Sequence, residues 1–249
     1  MKFPRLLILL CFVLAAGLVH NSMEAAGKKI LIFKPALNTS SEFPINERSI
    51  AQEMGFTVRV FSIQKWSALT TADFAQYNAI IIPDGACELS LDALNVLKST
   101  RNTWTAAVHG PIVLGGPDPD FHATRGNGAA GPKIKYLQNV LNFVTSGPTT
   151  GLYAGGIGCF FDIGGVVQVD YLRPIGQINI IDESGDEVHV TQQGNPVVAG
   201  LGDKAFTGWD SSYHNQFDTF PSFFQVVAVG RHNPTDPLLP VIIVANSRP

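Results

Sequence analysis

The sequence predicts an α/β fold built on a mostly parallel sheet, and three observations carry that prediction. Apolar runs alternate with segments of helical periodicity from residue 28 onward. Several of the runs are short and unbroken, as in Ile30-Leu31-Ile32-Phe33 and Ala79-Ile80-Ile81-Ile82, the pattern of strands covered on both faces. Glycine, proline and aspartate punctuate their ends, as loops between strand and helix require. Such alternation implies right-handed βαβ crossovers with helices on both sides of the sheet.

The elements follow in order. After the strand at 30–33, Ile45, Ile50, Ala51 and Met54 give helical spacing that Gly55 stops. Residues 56–61 alternate as a second strand, and 79–82 form a third, ended by Pro83-Asp84-Gly85. Leu91, Leu94 and Leu97 share one face of a helix over 89–97. Ile112-Val113-Leu114 make the fourth strand, closed by Gly115-Gly116-Pro117, and an amphipathic helix over 134–144 leads to a fifth strand within 150–161. The pattern then changes. Residues 166–169, 177–181 and 187–191 read as strands joined by turns, with a turn-rich stretch at 182–186, and predict added antiparallel strands or a hairpin near the C-terminus. Residues 223–229 and 241–244 supply two last β runs. The first strand is expected inside the sheet, flanked by the second and third.

The amino terminus stands apart from this pattern. Lys2 and Arg5 precede an apolar run over 6–19, and Ala25, Ala26 and Gly27 offer a cleavage zone, which reads as a signal peptide over residues 1–26. The run is short for a membrane span, which needs ~20 apolar residues. Residues 27–249 are then one domain, secreted, or periplasmic in a bacterial source. Removing 1–26 leaves 15 basic and 19 acidic residues, so charge gives no case for nucleic acid or an anionic membrane. Cys87 and Cys159 remain; one disulfide, a buried thiol and a loop thiol are all open readings.

Ligands of open α/β sheets sit beyond the carboxyl ends of the strands, and three polar clusters fall there. They are Pro83 to Glu88, the Gly115-Gly116-Pro117-Asp118-Pro119-Asp120-Phe121-His122 segment, and Trp209-Asp210-Ser211-Ser212-Tyr213-His214-Asn215. An extended 118–122 segment would project Asp118, Asp120 and His122 to one side. With His109 or His214 beside them, these groups would suit a divalent cation or acid–base work. Aspartate before proline also starts turns with no ligand at all. Trp209, Tyr213 and Phe217 would form a stacking surface for a sugar or peptide, or else belong to the core.

Three stretches resemble the class I glutamine amidotransferase-like superfamily. Ile80-Ile81-Ile82-Pro83-Asp84-Gly85 resembles its oxyanion strand and loop. Pro111-Ile112-Val113-Leu114-Gly115-Gly116 resembles the strand entering its nucleophile turn. Asn195 to Leu201, Tyr213-His214 and Phe220-Pro221 resemble its histidine segment. The resemblance implies a flavodoxin-like three-layer fold, with Gly85 and Gly116 near the ligand and His214 catalytic. The chain departs from it at the nucleophile: the turn reads Leu114-Gly115-Gly116-Pro117-Asp118, without cysteine or serine, so glutaminase chemistry is not expected. Two readings follow. In one, the domain binds a small molecule, a glycan or an extracellular protein through Gly85, Gly116, Asp120, Trp209 and Tyr213. In the other, a divergent hydrolase uses Asp118, Asp120, His122 and His214, with metal assistance open. No cofactor is specified.

Overall fold

The computed structural model describes residues 27–249, apart from residues 43, 84–86, 88, 126–127 and 161–164. Its strands are β1 (Lys29–Phe33), β2 (Thr57–Phe61), β3 (Ala79–Ile82), β4 (Val108–Gly115), β5 (Thr150–Ala154), β6 (Gly165–Gln168), β7 (Asn179–Asp182), β8 (Glu187–Val190), β9 (Gln216–Thr219), β10 (Gln225–Arg231) and β11 (Leu239–Ala245). The α-helices are α1 (Glu47–Glu53), α2 (Ile63–Ser67), α3 (Thr71–Phe74), α4 (Leu91–Ser99), α5 (Arg101–Thr105), α6 (Pro119–Thr124) and α7 (Ala130–Val144).

The main sheet runs β2-β1-β3-β5-β4-β11-β10-β8. From β2 to β4 the neighbours are parallel. β11, β10 and β8 then join antiparallel. β1 lies between β2 and β3, as its apolar run predicts. Side chains alternate across the pleat, so Ile30 and Ile32 enter the core under α1 and α7, with Ile50, Leu137 and Val140. Leu31 and Phe33 enter the opposite core with Trp66, Phe74, Leu97 and Trp104. Both layers are dry: all four β1 side chains from Ile30 to Phe33 are fully buried, each worth about 1.5–3 kcal/mol of transfer free energy. Trp66 anchors the second core, with Phe33 and Phe74 ring centroids each 4.8 Å away. Its indole N–H donates to Thr100 Oγ1 at 3.1 Å. The result is the predicted three-layer α/β arrangement.

The C-terminal part supplies the expected antiparallel strands and divides them between two sheets. β6, β7 and β9 form a separate antiparallel sheet, but the run at 187–190 does not extend it. It pairs instead with β10 on the edge of the main sheet, Val190 opposite Ala228 and Glu187 opposite Arg231. Alternation such as Glu187-Val188-His189-Val190 specifies one buried face, and it is silent about which strand lies alongside. Among the described residues, no helix is long and apolar enough to cross a membrane.

Candidate functional site

The 118–122 segment is helical rather than extended. Asp118 is the residue before α6, and Pro119 occupies its first position, where proline's fixed φ suits a helix start and its missing N–H costs nothing. A helix puts residues four apart on one face, so Asp118 and His122 turn the same way and Asp120 turns elsewhere. Asp118 Oδ1 lies 3.0 Å from His122 Nε2. Its other oxygen, Oδ2, lies 3.1 Å from His214 Nε2. One buried carboxylate is thus bracketed by two imidazoles, just past the carboxyl end of β4.

His214 reaches this point because its backbone is gripped on both sides. Its N–H donates to Gly116 O at 3.0 Å. The neighbouring Asn215 Oδ1 accepts from the Gly158 N–H at 2.9 Å. Neither glycine has room for a side chain: a Cβ on Gly116 would overlap Asn215 O, and one on Gly158 would overlap His214 O. Gly116 therefore seats the histidine segment by its backbone.

The far side of His214 carries a residue that sequence reasoning missed. Ser184 Oγ is 3.1 Å from His214 Nδ1. Ser184 sits in the turn between β7 and β8, and the bridge beside it explains its position. Gly185 and Tyr213 exchange two backbone hydrogen bonds, each 3.1 Å. Asp186 then ties down the following loop, accepting from Trp209 N at 2.9 Å and Gly208 N at 3.0 Å. Burial is graded along the three groups: Ser184 is exposed, the His214 side chain is 21% exposed and Asp118 only 2%. Burial pulls the His214 pKa down, but the adjoining Asp118 carboxylate, helped by the charge of Asp182, outweighs it and leaves the imidazole above its usual value.

Two small cavities meet at His214. One, of about 190 Å³, is lined by Cys87, Asp118, Phe121, His122, Asp210 and Ser211 besides. The other, of about 170 Å³, is lined by Cys87, Gly158, Cys159, Asp182 and Ser184. Cys87, which lines both cavities, and Cys159, which lines the second, form a disulfide, which removes both sulfurs as nucleophiles. A larger open hollow of about 590 Å³ lies along residues such as Lys34, Asn38, Ser62 and Gln64, away from the paired titratable groups. Strain marks the smaller site. Among the described residues, the non-glycines with positive φ are Cys87 (60°), Asp210 (72°) and Ser211 (114°), and all three line the 190 Å³ cavity. Each such conformation costs about 1–3 kcal/mol and tends to mark functional loops.

The remaining candidates are placed elsewhere. Asp120 is buried with both carboxylate oxygens unpaired, as is Glu47 of α1. Burial, then the Asp118 charge, pushes the Asp120 pKa up to about 7. Burial, then Asp120, raises Glu47 well above the carboxylate range. The two are a carboxyl pair behind the site rather than part of its open face. Trp209 and Tyr213 are core residues, 3% and 0% exposed; the Trp209 indole stacks near Phe206 and donates to Ala205 O at 3.1 Å. Neither presents a ring face to a ligand from solvent. His109 lies at the opposite end of β4, exposed. Gly85 lies outside the described residues. Lys133 is buried beneath α6, its Nζ 2.8 Å from His122 O and 5.3 Å from the Trp209 ring centre. Burial lowers its pKa, with the Asp118 charge acting in opposition. Comparison of the chain with protein-family models, curated proteins and solved structures finds no match.

Proposed function

We propose that this chain is an exported, amidotransferase-like hydrolase whose nucleophile is Ser184, with His214 as general base and Asp118 as the group that orients it. The observation that carries the reading is the continuous contact Ser184 Oγ–His214 Nδ1–(ring)–His214 Nε2–Asp118 Oδ2, with both distances 3.1 Å. A weakly acidic hydroxyl needs an adjacent base, and the base needs a third group to fix its tautomer. Here Asp118 holds the proton on Nε2, which leaves the Nδ1 lone pair to take the Ser184 proton. Ser184 Oγ then bonds to the carbonyl carbon of an ester or amide. The leaving group departs with the proton from His214, and water releases the acyl group by the reverse path. The 170 Å³ cavity beside Ser184 accommodates a small acyl group. The nucleophile that the turn after β4 lacks is thus supplied from the β7–β8 turn, so glutamine is not the expected substrate.

A fluorophosphonate probe tests this, since it phosphonylates only activated serines. Mass mapping is expected to place the adduct on Ser184, and Ser184→Ala to abolish it. His214→Ala is expected to slow labelling by roughly 10³-fold or more, the scale of losing a triad member. Absence of labelling in folded protein, or an adduct on another serine, would refute the assignment.

A further inference from the structure

Asp118 and His214 also belong to a second constellation. The three ligand atoms of Asp118, His122 and His214 all lie within 4.8 Å of one another. Bonds of ~2.0–2.2 Å from a tetrahedral zinc ion to nitrogen and oxygen place neighbouring ligand atoms roughly 3.3 Å apart. The observed carboxylate-to-imidazole separations, 3.0 and 3.1 Å, approach that spacing. An independent observation points the same way. His122 is 4% exposed, yet its Nδ1 has no partner, and its Nε2 approaches Asp118 Oδ1 at 3.0 Å as an ion pair without hydrogen-bond geometry. Buried polar atoms without partners are rare and costly. A cation between them would satisfy His122 Nε2 and Asp118 Oδ1 together.

The surroundings suit an ion. His122 is fixed between Phe121 and Trp209, with ring centroids 5.2 and 5.5 Å away. His214 Nδ1 meets the Ser184 hydroxyl, the kind of outer contact that orients a metal-bound imidazole. The 190 Å³ cavity in front of all three side chains leaves a coordination position for water or ligand. Two imidazoles and one carboxylate favour zinc, cobalt or another late divalent ion over calcium or magnesium.

We infer that Asp118, His122 and His214 bind one divalent transition-metal ion, and that the bound ion silences Ser184. The second half follows from the tautomer. A metal on His214 Nε2 requires that nitrogen's lone pair, so the ring proton moves to Nδ1, where it faces Ser184 Oγ as a donor and can no longer accept the hydroxyl proton. The silencing rests on Ser184 being the nucleophile; the metal site does not.

Calorimetric titration of chelator-stripped protein with Zn²⁺, without reductant so that the disulfide persists, tests the site. One Zn²⁺ per chain is expected. His122→Gln and His214→Gln should each weaken binding by more than the ~10–100-fold that losing an outer-shell partner costs, while Ser184→Ala changes it by less than about tenfold. Co²⁺ added to the unsubstituted protein should give the visible absorption of a nitrogen-ligated ion, which guards against a variant that misfolds. No bound zinc, or zinc held equally well by both histidine variants, would overturn the site. Zn²⁺ should also suppress fluorophosphonate labelling of Ser184, and chelation should restore it; labelling unchanged at saturating zinc would overturn the silencing. Failure to label at all, with zinc still bound at these residues, would overturn the silencing and the Ser184 reading while leaving the site intact.

Discussion

Gly158→Ala is expected to lower stability by about 3 kcal/mol, toward the upper end of what overpacking costs, and to slow Ser184 labelling by about 100-fold. The two effects share one cause. The new methyl would overlap the His214 carbonyl, which is backbone and cannot swing aside as a long side chain can. Either the 3-10 turn Ile157–Phe160 that carries Gly158 retreats or the His214–Asn215 segment moves. A shift of about 1 Å at a catalytic group suffices for a 10²-fold loss. Denaturant titration and probe kinetics on the same preparation check both halves. Wild-type stability with wild-type labelling would show that the close approach is not what holds His214. Gly194→Ala is the matched control, since a Cβ there meets nothing within 4 Å.

The second large effect concerns pH. Asp120 has a folded-state pKa raised to about 7, against about 3.9 for an unperturbed aspartate. The folded state therefore holds this proton more tightly than the unfolded chain does. Its stabilising contribution is complete below pH ~4 and is lost as pH rises towards ~7, a change on the order of 4 kcal/mol at ~1.4 kcal/mol per unit. Glu47, raised by the same burial, adds in the same direction. Other carboxylates act oppositely and at lower pH. Glu187 is held down to about 2 by its hydrogen bonds from Arg231 and then His189, so its contribution disappears only on acidification below the usual carboxylate range. Asp120→Asn is therefore expected to match the natural protein near pH 4 and to exceed it at pH 7 and above. Chelator-treated protein should be used, because a cation at Asp118 would hold Asp120 ionised. Parallel stability profiles for the two proteins between pH 4 and 7 would contradict the buried-acid account.

Much of the architecture was legible because parallel strands advertise themselves. β1 and β3 are covered on both faces, so their sequences are unbroken apolar runs, and the run itself identifies them. Partner choice is less visible: the alternation over 187–190 marks a strand with one buried face but does not say that β10 is its neighbour. The site was legible in part. Asp118, His122 and His214 stand out as polar residues after strands, and they converge. Their local geometry did not follow from the pattern, because alternation assumed an extended segment, whereas Pro119 starts a helix that sends Asp120 inward to Glu47. Ser184 carried no signal of its own: an exposed serine in a turn is common, and only the Gly185–Tyr213 bridge, made by residues far apart in the chain, brings it to His214.

The position of β11 has a consequence for how the molecule is made. The last strand of the chain inserts between β4 and β10, so the Ile112-Val113-Leu114 edge of β4 has no partner on that side until Ile243, Val244 and Ala245 arrive. During synthesis the parallel half can form early, yet it must wait with an apolar, unpaired strand edge. Such an edge is the usual template for sticking to other chains. A nascent or truncated chain that stops before β11 should accordingly aggregate rather than fold as a smaller domain. His214, which is read out before β10 and β11, would be locked against Gly116 only when that closing strand zips in and Val241 O takes the Gly116 N–H, making the His214–Asp118 contact a late product of folding.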